Sequence, residues 1–167
     1  MAVNRGKDFE GIVKDCFDRL PYTYALRLYD PQGGYASVAN ICDFAVSHIY
    51  RQYLIECKTV HGNTLPIYSP DPKKKYGNIS NTQWDGMIDA VKHNPCIVAG
   101  VLCWWVDRDM TLFLPIDYLA YQRNVVGRKS IRFDIEDVGR VVINGTKKRV
   151  YFDYDFESLF NAFEKER

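Results

Sequence analysis

A chain of 167 residues, 47% hydrophobic and 14% aromatic, is long enough to bury one core, so a single domain spanning residues 1–167 is expected. The formal net charge of +1 neither points to nucleic acid nor excludes it, because a metal site and a polar rear surface both add acids that mask a basic face. Five cysteines (16, 42, 57, 96 and 103) are an odd set without CxxC spacing. They read as small buried hydrophobes in a reducing compartment rather than as a disulfide framework. The opening MAVNRGKDFEG carries no apolar signal region, and no apolar run approaches membrane-spanning length. The expectation is a cytoplasmic protein with no membrane partner.

In chain order, residues 7–20 predict a helix. Phe9, Ile12, Val13, Cys16, Phe17 and Leu20 fall on one stripe, and Pro21 ends it. Glu10, one turn in, is either a first-turn glutamate favoured by the helix dipole or a carboxylate offered to a site at the sheet edge. Tyr22–Tyr29 predicts a strand, closed by the turn sequence Asp30-Pro31-Gln32-Gly33-Gly34. Tyr35 beside that turn is a candidate for stacking on an unpaired base, or else an aromatic cover on the sheet.

Ile41–Ser47 and Arg51–Val60 then predict two strands rich in β-branched and aromatic residues. A reversal centred between Ile49 and Tyr50 sets Asp43 opposite Glu56. Ile-Tyr is a poor two-residue turn, so a looser His48–Arg51 loop of the same register is expected. Glu56 and Lys58 leave one face and Cys57 the other. Facing residues have Cβ atoms roughly 4.5–5.5 Å apart, and two carboxylates that close repel unless a cation or a proton intervenes. A hard divalent ion takes one or two carboxylates plus waters and phosphate oxygens. Such an ion would acidify a bound water, and a lysine on the same face could orient that water or stabilise developing charge. The bland alternative is an exposed strand with a Glu/Lys ladder.

His61–Ser80, with its prolines and the run Lys73-Lys74-Lys75, reads as a loop whose lysines are either solvated surface or a phosphate clamp. Asn81–His93 predicts a helix capped by Ser80 or Asn81, with Trp84, Met87, Ile88 and Val91 on its buried stripe. Gln83 near its start is a polar first-turn residue or a group reaching a phosphate or water. Cys96–Trp105 is a continuous apolar run of strand length and predicts a central strand covered on both faces. Met110–Pro115 predicts its partner strand and Ile116–Val125 a short helix. Two or three short strands or turns follow, then the acidic helix Asp155–Glu166. His48, His61 and His93 lack zinc-site spacing, and there is no Gly-rich phosphate loop or Ser/His/Asp signature.

Asp43 with Glu56-Cys57-Lys58 resembles the core of the PD-(D/E)xK nuclease superfamily. With Asn4-Arg5-Gly6-x-x-Phe9-Glu10, Arg51, Gln83-x-x-x-Met87 and Arg128-Lys129-Ser130-Ile131, the chain resembles RecU-type Holliday junction resolvases over residues 4–135. The resemblance implies an α/β, restriction-endonuclease-like mixed β-sheet flanked by helices. It implies a homodimeric, Mg²⁺-dependent endonuclease (Mn²⁺ as a substitute) that nicks four-way junction DNA symmetrically in recombination and repair. Asp43 and Glu56 would bind the metal, with the Cys57 carbonyl as a third ligand. Lys58 would position the water, with Glu10 and Gln83 completing the catalytic set. Arg5, Lys7, Tyr35 and Lys73–Lys75 would contact DNA. The stalk-like protrusion, around residues 30–40, is short and has no basic residue, and Thr59 stands where an acid often follows the lysine. These departures point to a compact, phage-encoded relative. The competing functions are a sequence-specific restriction-type nuclease on the same core and a non-catalytic DNA-binding subunit of nuclease-like fold.

Overall fold

The computed structural model describes residues 5–29, 40–67, 79–134, 137–148 and 151–164, with Arg5 described in its backbone alone. Helix α1 (Arg5–Asp18) starts two residues before the expected span and buries Phe9, Val13, Cys16 and Phe17. A six-stranded mixed sheet follows, ordered β1-β2-β3-β5-β6-β8. Its first strands are β1 (Thr23–Arg27), β2 (Phe44–His48) and β3 (Arg51–Val60). Helix α2 (Asn81–His93) carries the chain from β3 to β5 (Ile97–Trp105), which pairs parallel with β3. Strands β6 (Met110–Pro115) and β8 (Val141–Val142) add on antiparallel. The continuous apolar run therefore sits centrally, as its lack of alternation requires.

The two faces of the sheet carry separate cores. Alternation along β3 sends Tyr53, Ile55 and Cys57 toward α1 and α4 (Glu157–Glu164), where Phe17, Phe156, Leu159 and Phe160 pack. Leu54 goes to the other face with Trp84 and Met87 of α2 and Leu119 of α3 (Ile116–Asn124). Fully burying side chains of this size contributes about 1.5–3 kcal/mol each. Gly86 lets α2 lean closely on the chain entering β2: a Cβ there would lie 2.3 Å from Ile41 Cγ2.

Three expectations need correction. The segment read as one loop, His61–Ser80, contains β4 (Thr64–Pro66), which pairs with β7 (Ser130–Arg132). Its Pro66 closes an edge strand, the position where a missing N–H costs least. Among the described residues the C-terminal part holds four short strands, where two or three short strands or turns were expected, the others being β9 (Gly145–Lys147) and β10 (Phe152–Tyr154). The hairpin between β2 and β3 is tight. His48 pairs with Arg51, and Ile49 accepts φ +41°, a strained value for a β-branched residue. Cys96 is exposed while the other four cysteines are buried, and all five are free. Among the described residues, no helix is long and apolar enough to cross a membrane.

Candidate active site

Strands β2 and β3 hold the register expected from their sequence, Phe44 facing Ile55 and Ala45 facing Leu54. At Asp43 the ladder loosens. Its N–H donates to the Ile55 carbonyl (3.0 Å), and the Cys57 N–H donates to Asp43 Oδ2 (2.7 Å) instead of to a backbone carbonyl. The parting strands open a cleft of about 860 Å³ between the starts of α1 and α2, lined by Lys7, Glu10, Arg27, Asp43, Glu56, Lys58 and Gln83 among others.

Glu56 is the centre of this cleft and is only 2% exposed. Its Oε1 accepts from Lys58 Nζ (2.5 Å) and from Gln83 Nε2 (2.6 Å). Its Oε2 is buried with no hydrogen-bond partner. Burial, reinforced by Asp43 and opposed by Lys58 and Gln83, pushes its pKa up to about 7. Burial also raises Asp43, where the Cys57 amide and Lys58 pull the other way and Glu10 adds to the rise. A buried carboxylate oxygen without a donor is costly, and a hard cation answers both the bare oxygen and the mutual repulsion. The donor chemistry therefore fits a divalent ion held by Asp43 and Glu56.

Gln83 is fixed by the helix cap. Ser80 accepts from the Gln83 N–H, and the Ser80 N–H donates to Gln83 Oε1 (3.0 Å). That capping box commits the amide oxygen to the helix end and turns Nε2 toward Glu56. The first-turn reading holds, and the same side chain also lines the cleft through its contact with Glu56.

Glu10 also faces the cleft, where Arg27 Nη2 holds its Oε2 in an ion pair. Lys7 is exposed at the rim. The Arg5 side chain, Tyr35 and Lys73–Lys75 lie outside the described residues. The three histidines sit apart, His48 against Glu164, His61 against Asp107 and His93 against Asp89. Among the described residues, no three His, Cys, Asp or Glu side chains converge as a ligand set. Sequence reasoning missed Arg27 and Tyr29. The signal was present in the alternation of β1, which places Arg27 on the same face as the buried Ala25.

No family model and no curated protein matches this sequence. Among solved structures, the chain is similar to Hjc of Archaeoglobus fulgidus, a Holliday junction resolvase from an archaeal hyperthermophile, at 12% identity and a TM-score of 0.39. That similarity covers 66% of this chain and 74% of the other.

Proposed function

We propose that this protein is a divalent-cation-dependent endodeoxyribonuclease, and that its preferred substrate is the four-way DNA junction. The observation that carries the nuclease reading is the Asp43–Glu56–Lys58 cluster lining one cleft, with a bare, buried oxygen on Glu56. Asp43 and Glu56 would hold Mg²⁺, or Mn²⁺ in its place, with the Cys57 carbonyl available as a further oxygen donor. When bound, the ion supplies Lewis acidity to the scissile phosphate and lowers the pKa of water beside it. Lys58, tied to Glu56, orients the attacking water and stabilises negative charge growing on the phosphate. Gln83 keeps Glu56 in its rotamer. A binding protein has no need of an acid buried beside a phosphate, which argues against a non-catalytic role.

Junction preference rests on the RecU-like pattern of Asn4-Arg5-Gly6, Glu10, Gln83 and Arg128-Lys129-Ser130-Ile131. Two matched cuts on a two-fold symmetric junction call for two equivalent sites, which a homodimer provides. The test is cleavage of labelled four-way, forked and linear DNA in Mg²⁺. Paired symmetric nicks in the four-way junction are expected, with Asp43→Asn inactive but still binding. Cutting of linear duplex at one sequence in preference to the junction would favour the restriction-type reading. No cleavage of any DNA in Mg²⁺ or Mn²⁺ would overturn the enzyme.

A further inference from the structure

Three carboxylates line the cleft, and they differ in what already holds them. Glu56 is almost wholly buried, with one oxygen bare. Asp43 spends one oxygen on the Cys57 amide. Glu10, on the wall made by α1, is bound to Arg27, and both side chains are about four-fifths buried, 22% and 21% exposed. The guanidinium is braced on its other side, where Arg27 Cζ stands 5.0 Å from the Tyr29 ring centroid. Two partners therefore fix this cation in place before any ligand arrives.

A second divalent ion at Glu10 would have to displace a delocalised, weakly hydrated cation while giving up its own tightly held water. It would also sit close to a guanidinium of like charge whose side chain is largely buried, where repulsion is less screened than in bulk water. The acids of the cleft are already matched by Lys7, Arg27 and Lys58, so one divalent ion suffices to make the wall attractive to a phosphodiester.

We propose that each cleft takes one divalent cation, at Asp43 and Glu56, and that Arg27 fills the place at Glu10 that a second cation would take. Arg27 then presents a fixed charge to a substrate phosphate on that wall, a positioning role beside the metal. This rests on the nuclease reading and specifies how many ions that site holds.

The test is Mn²⁺ titration of the full chain without DNA, read by electron paramagnetic resonance of free Mn²⁺ and by calorimetry. Wild type should bind one ion per chain. Glu10→Gln should still bind one, with affinity changed by less than about threefold. Arg27→Met, with folding checked by circular dichroism, should gain a second, weaker ion through the freed Glu10. Two ions in wild type, a tenfold or greater loss of affinity in Glu10→Gln, or a single ion in Arg27→Met would overturn the inference and leave the nuclease reading standing. No ion bound by wild type would sink both.

Discussion

The β2–β3 hairpin holds an acid at each of its ends, Glu164 half-buried near the turn and Glu56 buried where the strands part, and the two are built differently. Near the hairpin, Glu164 of α4 is grasped by Tyr53 Oη (3.0 Å) and His48 Nδ1 (2.8 Å), with His48 stacked on Phe160. At the open end, Glu56 also takes both of its donors on one oxygen, but its other oxygen is buried with no hydrogen-bond partner. Glu164 fastens a helix to the sheet and asks for nothing more. Glu56 keeps a buried oxygen without a donor, a cost that a bound cation would offset. The contrast separates an acid that supports the fold from one that the fold supports.

The strongest way to break this contrast is at the chemistry. Lys58→Ala should lower single-turnover cleavage by about 10²–10³-fold while leaving junction affinity nearly intact, measured by gel shift in Ca²⁺. An equal fall in affinity would mean that Lys58 merely binds DNA.

Stability should respond in opposite directions at the two acids. Glu56→Gln should raise the metal-free stability at pH 8 by on the order of 2 kcal/mol, because it removes a buried charge while keeping an acceptor for Lys58. Glu164→Gln should lower stability by about 1 kcal/mol, since a charge-assisted pair of bonds is weakened. Equal signs in thermal melts would erase the distinction.

The pH dependence sharpens it further. The folded pKa of Glu56 is raised from 4.5 to about 7, so the native state favours its protonated form. That contribution is complete below the unfolded value and is lost as pH rises through about 7. Facing Asp43 shifts in the same direction, while Lys58 opposes the rise. In EDTA, Tm should therefore fall between pH 5 and 8 in wild type and fall less in Glu56→Gln. Mg²⁺ should flatten the wild-type curve.

Gln83→Glu gives a subtler probe. A glutamate keeps the cap of α2 but cannot donate to Glu56, so helicity should hold while Mn²⁺ affinity drops by about tenfold. Unchanged affinity would make Gln83 a cap alone. The smallest effect is expected at the turn, where Ile49→Gly should relieve the positive φ and stabilise by about 0.5–1 kcal/mol, read from urea midpoints.

The two ends of the hairpin also differ in how far the sequence disclosed them. The period of two fixes which residues of β2 and β3 share a face, so Asp43, Glu56 and Lys58 were legible as a group. Ser80 and Gln83 were legible as a helix start because capping is local chemistry. What escaped depends on segments distant in sequence. The pairing of Thr64–Pro66 with Ser130–Arg132 has no local signature, and a strand of that length gives too few residues for alternation to register. The Arg27–Glu10 pair depends on α1 lying across β1. Ile49 was expected in a looser loop because its φ opposes its own preference, and the surrounding ladder overrides that preference.

Gly86 touches none of the reactive groups, yet it sets the gauge of the cleft. Because no methyl stands between α2 and Ile41, the helix bearing Gln83 and the segment leading to Asp43 close on each other like the jaws of a caliper. Adding a single carbon there would force α2 and Ile41 apart. A contact one helical turn from Gln83 thereby sets how closely that side chain approaches Glu56.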